Sequence, residues 1–345
     1  DHRAADVRIS EDALQRKGQP EQISLQDHKD PFRLAMPSSW ISEKETKQAL
    51  GSFNNKKWYL GFSSVTSPTN ARSFVPCLIP ESGVGNSFPV MLQEYSDAKS
   101  ISKLYSCTSS YILDYTARQK IGGVNLNFFL VNQFPVIDVG LVEALFDSKL
   151  SDLSCFLLER VLELSYTAWD LQSFALDCGY DGPPFIWDEE RRFEIKCELD
   201  ALFFHLYLGT QSDWEASPTP KPLMADGLQQ PQARSAATIK GDTASHTAHH
   251  SQLNQYFPTA RHAVEYIMET FPIVKRKDEK EYEEYRSKRR ILEIYDQMTH
   301  CLATGTEYRS TLNPPPGPPC DKDGNFISVE QWDKNKWPKH IHRLK

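Results

Sequence analysis

The segment from Tyr111 to Ile137, YILDYTARQKIGGVNLNFFLVNQFPVI, decides the expected architecture because its character changes within a few residues. Apolar residues from Ile101 to Ile121 recur at spacings of three, four and their sums, which predicts one long amphipathic helix. Gly122 and Gly123 end that helix. Val124–Val131 then has the composition of a strand, which Phe134-Pro135 ends.

Strand composition also precedes this segment. Trp58–Thr66 and Ser73–Ile79 are rich in aromatic and β-branched residues, and the turn residues Ser67–Asn70 separate them. A third extended piece is predicted at Phe88–Leu92. The sequence therefore predicts an α+β fold, with a small mixed domain of strands and one long helix over residues 32–137.

Helical periodicity dominates downstream. One long helix is predicted from about Leu150 to Ala175, and a second from the N-cap Asp188 to about Tyr207, closed by Gly209. Helices are also expected at Ala260–Thr270 and from about Lys280 to Thr299. These patterns predict a helical support region over residues 145–210, continued over 258–300.

Three segments lack such patterns. Residues 1–31 are polar and are expected to form a linker or a disordered arm. Residues 211–257 are rich in Ser, Thr, Gln, Pro and Ala, which indicates a disordered insertion. Residues 301–345 are expected to form an irregular, Pro-rich C-terminal tail, with His340 and His342 solvated.

Composition limits the function. The 345 residues include 39 Lys and Arg against 46 Asp and Glu, a net charge of −7, so binding of nucleic acid through bulk positive charge is excluded and a local patch is needed. The sequence has no apolar run near 18 residues, and its first thirty residues are polar, so neither a membrane span nor a signal peptide is predicted. The seven dispersed cysteines indicate reduced thiols, and the expected location is cytoplasmic.

Common catalytic motifs are missing from the sequence. It contains no GxGxxG, GxxxxGK[ST], HExxH or GxSxG. Asn313 starts an Asn-Pro-Pro-Pro run, but methyltransferases that act on adenine carry Tyr or Phe at the fourth position, where the aromatic ring stacks on the flipped base. No catalytic residue, metal ligand or cofactor-binding residue is therefore assigned.

The helix end and the glycine loop carry the most informative chemistry. Polar side chains flank the loop on both sides, and arginine, glutamine and asparagine pair with base edges: Arg118, Gln119, Lys120, Asn125 and Asn127. The backbone at Gly122 and Gly123 allows an anion to approach closely. A helix C-cap with cations near the negative end of the helix dipole explains the same residues equally well.

Several long segments resemble a known family. DYTARQKIGGVNLNFFLVNQFPV resembles the recognition-domain segment of large adenine-specific DNA methyltransferases, which include Type IIG/IIL-like restriction–modification enzymes and the methylases of BREX and DISARM phage defence. WYLGFSSVTSPTNARSFVPCLIP and VGNSFPVML are similar to strands of that domain. The resemblance continues through LLERVLELSYTAWDLQSFALDCGYDGPPFIWDEERRFEIKCELDALFFHLYLG, FPIVKRKDEKEYEEYRSKRRILEIYDQM, LNPPPGPP and WPKHIHR.

The resemblance implies DNA target recognition by a carboxyl-terminal region. In the family, the S-adenosylmethionine loop and the Asn-Pro-Pro-Tyr/Phe loop lie upstream, and neither is present here. The chain alone is therefore expected to be inactive and to bind no cofactor. The implied partners are double-stranded DNA, the upstream methyltransferase domain and other defence-system subunits, with no membrane. A protein-interaction module of a restriction or defence complex is the alternative, since two long amphipathic helices suit docking.

Base readout is expected from loops around Ser67–Arg72, which includes Arg72, and Gly122–Asn127. Phosphate contacts are expected from cations of the helical region: Arg191, Arg192, Lys275, Arg276, Lys277, Lys288, Arg289 and Arg290. Glu281, Glu283 and Glu284 lie between the two basic runs, so an exposed helix with salt bridges of both signs is an equally good interpretation.

Overall fold

The computed structural model describes residues 2–3, 5–6, 21–35, 40–53, 56–92, 97–137, 153–209, 214 and 256–343. Over these residues the fold is α+β, as predicted, with helices predominating and a small antiparallel sheet. None of the described helices is long and apolar enough to cross a membrane. The predicted insertion at 211–257 lies outside the described residues except for Trp214, Tyr256 and Phe257.

Two sheets are present in the described part of the chain. Ala5–Asp6 (β1) pairs with Glu21–Gln22 (β2). Trp58–Phe62 (β3) is the centre of the other sheet, flanked by Pro76–Pro80 (β4) and Val90–Met91 (β5), both antiparallel to it. Every residue of β3 is buried, which explains its unbroken apolar sequence, and the three extended segments that the sequence predicts are confirmed.

The N-terminal region folds more than its composition suggests. Its described residues include the helices Leu25–Lys29 (α1) and Glu43–Leu50 (α2). Arg3 is buried and donates 2.8 Å to the Thr167 hydroxyl, while the His28 ring stacks on Trp187 at 4.0 Å. The expectation of a loose arm over 1–31 is therefore wrong for these residues, because polar and ring contacts, which leave no apolar pattern, anchor them on the helical region.

The predicted long helix is two helices, Ala98–Ser109 (α3) and Tyr111–Arg118 (α4). Ser110 breaks it because its backbone is extended and its hydroxyl caps α4 by accepting a hydrogen bond from the Leu113 amide. The strand predicted at Val124–Val131 is also wrong.

In place of that strand, a single bridge joins Val65 to Asn125, and Phe128–Val131 forms a short helix (α5). Asn127 starts α5 by accepting a hydrogen bond from the Leu130 amide at 3.0 Å, so its side chain competes with strand pairing.

The helical region contains Leu153–Ser165 (α6), Gln172–Asp177 (α7), Glu189–Leu208 (α8), Ala260–Glu269 (α9), Pro272–Tyr282 (α10) and Arg286–Thr304 (α11). The helix predicted after Asp188 is confirmed with both caps, and Gly209 ends it at φ 73°. The helix predicted over 150–175 divides between α6 and α7. The helix predicted over 280–299 divides at Glu283, which has a left-handed backbone at φ 61°.

One core joins the two predicted regions. Phe62, Phe74 and Leu113 of the mixed domain belong to the same buried cluster as residues of α6, α8, α9 and α11. A second cluster packs the sheet and Tyr166 against Ile341 of the C-terminal segment. That segment is irregular, as predicted, but it is packed on the protein.

His340 is buried, so the expectation of solvated histidines in the tail is wrong for this residue. It is only 4% exposed, and its Nε2 lies 2.8 Å from the Gly317 carbonyl oxygen. Burial lowers its pKa. Its ring therefore belongs to the core contact between the C-terminal segment and α6, where the Gly317 amide donates to Glu163 at 2.9 Å.

Candidate functional site

The two loops for which the sequence predicts base readout lie side by side. The Thr66 amide donates to the Val124 carbonyl oxygen at 2.9 Å, and the Leu126 amide donates to the Ser64 carbonyl oxygen at 2.7 Å. A third loop joins them, because the Ser64 amide donates to the Ser87 carbonyl oxygen at 2.9 Å. Residues 63–72, 83–88 and 119–127 are called the loop edge below.

The loop edge exposes neutral polar side chains, one lysine and the valines Val65, Val84 and Val124. Its exposed polar residues are Thr69, Asn70, Asn86, Ser87, Gln119, Lys120, Asn125 and Asn127. None of its three segments contains an Asp or Glu, in a chain that has 46 of them. This lack of carboxylates can be read from the sequence once the three segments are known to lie together. The surface consequently offers hydrogen-bond donors and acceptors without repelling an anion.

Gly122 and Gly123 leave open space at the centre of this surface. Neither glycine has a positive φ, so the backbone does not need glycine for its conformation. A Cβ built at either position meets no atom within 4 Å among the described residues. Packing within the described part of the chain therefore does not require glycine there either, and the backbone is accessible to a bound molecule.

The side chains of Lys120, Gln119, Asn125 and Asn127 differ in how far contacts within the protein engage them. The Lys120 ammonium lies 3.2 Å from the Gln133 carbonyl oxygen, and its side chain remains exposed. Gln119 is exposed at the end of α4, and Asn125 lies on the bridge to Val65. Asn127 caps α5, as described above. Lys120, Gln119 and Asn125 are thus the side chains of this loop best placed for outside contacts.

Arg118 does not have the exposed position that its sequence context suggests. Its Nε donates to Asp114 at 3.1 Å, and its guanidinium lies 4.1 Å from the centre of the Phe271 ring. The same group donates to the carbonyl oxygens of Asn70 and Ala71 at 2.6 and 3.1 Å. The side chain is only 8% exposed. The protein itself uses the donors of Arg118 to hold the loop edge, and the base contact expected from Arg118 stays a prediction.

Arg72 is committed in a similar way. Its guanidinium donates to Asp200 at 3.0 Å and lies over the Tyr111 ring at 3.2 Å. Asp200 also accepts the Tyr111 amide at 2.7 Å, and its burial raises its pKa against the opposing effect of Arg72. Arg72 therefore fastens the first loop to α8, and the DNA contact expected from it stays a prediction.

Asp114 is the second buried carboxylate under the loop edge. It is 1% exposed and accepts the amides of Ser73 and Phe74 at 2.8 and 2.7 Å, in addition to Arg118. A carboxylate that takes three donors fixes the path of the chain as it leaves residues 63–72. The sequence analysis missed both supporting carboxylates, since only the folded chain brings Asp114 and Asp200 beside this loop.

The cations at the start of α8 face inward. Arg191 donates to both oxygens of Glu163, at 2.8 and 3.1 Å, and to the Pro314 carbonyl oxygen. Arg192 is 7% exposed, donates to the Leu164 carbonyl oxygen and stacks on Trp187 at 3.6 Å. Burial lowers the pKa of Arg192 to about 10. Both guanidinium groups make their contacts within the protein, and the phosphate contacts expected from them stay predictions.

The basic runs of α10 and α11 are neutralised by nearby carboxylates. The ammonium groups of Lys275 and Lys288 both pair with the Glu269 carboxylate, at 3.0 and 2.7 Å. Arg289 pairs with Glu284 and Glu293, and Arg290 pairs with Glu194 and Glu293. Arg276 is exposed and donates to the Pro272 carbonyl oxygen at 3.3 Å. The salt-bridged interpretation of these runs is therefore confirmed for the paired residues, and the predicted phosphate contacts stay predictions.

Comparisons of the chain with protein-family models, with curated proteins and with solved structures give no match.

Proposed function

We propose that this chain is the DNA target-recognition part of an adenine-specific (N6) DNA methyltransferase of a restriction–modification or phage-defence system. In this proposal the methyltransferase domain that binds S-adenosylmethionine lies in another part of the protein. The loop edge contacts double-stranded DNA, and α6, α8, α9 and α11 support it. The sequence resemblance described above motivates the class of enzyme.

The observation that carries the proposal is the loop edge itself. Three loops meet there without a carboxylate, while amides, hydroxyls and one lysine remain exposed. DNA presents phosphates that repel carboxylates, and base edges that pair with asparagine, glutamine and lysine. The open backbone at Gly122 and Gly123 allows close approach of a sugar or phosphate. In a chain with a net charge of −7, a surface without carboxylates supports a contact with DNA.

Two substitutions test the proposal on exposed residues. Duplexes are first selected from a random-sequence pool with the full protein, and binding is measured by fluorescence anisotropy at two salt concentrations. Asn125→Ala should cost about 1–3 kcal/mol on the selected duplex if it reads a base, and much less on a scrambled one. Lys120→Gln should weaken binding to both duplexes and lower the salt slope by about one.

Lys277→Gln is the matched control for Lys120→Gln. Lys277 is exposed on α10, away from the loop edge in sequence and next to the salt-bridged residues. Equal losses for the two lysine variants would reject the loop edge as the contact surface. Failure of the wild-type protein to select any duplex would reject the proposed function.

Exposed apolar side chains within the loop edge and beside it favour a second candidate, docking on a protein subunit. Phe129 is 75% exposed, Val124 66% and Val65 60%. Apolar groups clustered at a surface mark interaction sites in many proteins. Salt separates the two functions, since DNA binding weakens steeply as salt rises and an apolar contact does not.

A further inference from the structure

Two cations on one face of α8 have no carboxylate partner in the described part of the chain. The helix carries three arginine or lysine residues, and Arg191 pairs with Glu163. Arg192 and Lys196 have no carboxylate within the 4.0 Å of an ion pair. The Nε atom of Arg192 is also buried without a hydrogen-bond partner. The arrangement contrasts with α11, whose Arg286, Arg289 and Arg290 are all paired.

Helix geometry brings this pair to the base of the loop edge. Residues four apart lie on the same face of a helix, so Arg192, Lys196 and Asp200 form one row. Asp200 ends the row, and its bond to Arg72 at 3.0 Å connects it to the loop of residues 63–72. Lys196 is exposed, whereas Arg192 is buried beside it. Lys196 therefore has solvent-exposed surface one helical turn from the attachment of the loop, while the protein atoms around its ammonium group partly desolvate the charge.

We propose that Lys196, with the buried Arg192 beside it, binds a backbone phosphate of the DNA duplex that the loop edge contacts. The inference rests on the proposed function and adds a contact that the sequence analysis missed. Arg192 supplies long-range positive potential without touching the phosphate, and Lys196 supplies the direct ion pair. An anion at this position relieves the repulsion between neighbouring cations.

The electrostatic surroundings of Lys196 give the proposal a distinctive pH dependence. Desolvation by the surrounding protein, followed by repulsion from Arg192 and Arg72, lowers the pKa of Lys196 to about 8, against the opposing effects of Asp200 and Cys197. Lysines and arginines at ordinary surface positions stay charged up to about pH 10. A phosphate contact through Lys196 is therefore lost at a pH where contacts through those other cations persist.

The test measures duplex binding by wild-type protein, Lys196→Gln and the control Lys277→Gln between pH 7 and pH 9. At pH 7 and about 0.15 M salt, loss of one phosphate contact should weaken Lys196→Gln about fivefold on selected and scrambled duplexes alike, and lower the salt slope by about one. Toward pH 9 wild-type affinity should fall to nearly that of Lys196→Gln. Lys277→Gln should follow the wild type throughout.

A direct titration of Lys196 complements the binding assay. The ¹³Cε resonance of Lys196, assigned by its absence in Lys196→Gln, should report a pKa near 8 that rises when duplex is added. A rise of the same size with inorganic phosphate alone would identify a free-phosphate site and overturn the DNA contact. If wild-type protein binds DNA but Lys196→Gln binds equally well at pH 7, this inference fails and the proposed function stands. If wild-type protein binds no DNA, both fail.

Discussion

By sequence alone, α10 and α11 are more basic than the loop edge. In the folded chain, the loop edge is the region whose exposed groups include no carboxylate. The helices contain two runs of three cations, and the loop edge contributes one exposed lysine. In the folded chain, Glu269, Glu284 and Glu293 neutralise cations of the helices, whereas the loop edge has no carboxylate among its exposed groups. The comparison shows that the carboxylates beside the cations, and not the number of cations, decide how much positive charge a surface presents.

The two regions also use buried charge differently. Asp114 and Asp200 lie beneath the loop edge and hold its arginines inward, so the buried ion pairs are part of the architecture. The pairs on α10 and α11 lie mostly at the surface, where water and salt weaken them. Substitution of the two kinds of carboxylate should therefore have very different effects on stability.

The largest expected effect is that of Asp114→Ala. It removes the acceptor of the Ser73 and Phe74 amides and leaves Arg118 buried without its carboxylate. Loss of one partner of a buried pair costs about 3–5 kcal/mol, so chemical unfolding should show a decrease of that size. Glu269→Gln, which breaks two surface pairs at once, should cost less than about 1 kcal/mol. Similar losses of unfolding free energy for the two variants would contradict the expected difference between buried and surface ion pairs.

Acid should destabilise the contact between α8 and α11 through His205. Its Nε2 lies 3.0 Å from the Tyr295 carbonyl oxygen, its ring stacks on the Tyr295 ring at 3.9 Å, and burial lowers its pKa to about 4. The unfolded chain takes up the proton near pH 6.5, so stability is complete above that pH and is lost as the pH falls toward 4. The loss attributable to His205 is at most about 3 kcal/mol.

His205→Gln keeps a side-chain donor for Tyr295 and has no titrating group. Its free energy of unfolding should depend less steeply on pH between 6.5 and 4 than that of the wild type. Urea unfolding at a series of pH values measures the difference between the two slopes. Identical slopes would mean that His205 is protonated as readily in the folded protein as in the unfolded chain.

The smallest expected effect on stability is that of Gly123→Ala. The position has open space and no positive φ, so alanine should leave stability unchanged or raise it by up to about 1 kcal/mol. Gly179→Ala is the control, since Gly179 also has open space but lies at φ +86°, where alanine costs about 1–2 kcal/mol. Gly123→Ala should nevertheless weaken DNA binding if the backbone approaches the duplex there. Unchanged binding would show that the open backbone is unused.

The sequence predicts the elements of this fold better than their ends. The helical periodicity of the apolar residues and the capping residues Asp188 and Gly209 correctly predict α8, because both signals are local. The break at Ser110 and the helix after Asn127 depend on single side chains that cap a helix, and apolar patterning does not detect them. The inward orientation of Arg72 and Arg118 depends on Asp200 and Phe271, which are far away in sequence, so only the folded chain reveals it.

Hydrogen–deuterium exchange of the full protein, with and without a selected duplex, tests directly whether the loop edge contacts DNA. We expect DNA to slow exchange at residues 63–72 and 119–127 and to leave residues 272–304 of α10 and α11 unchanged. Both regions are read in the same experiment, so each is the control for the other. Protection of α10 and α11 with an unchanged loop edge would contradict the account.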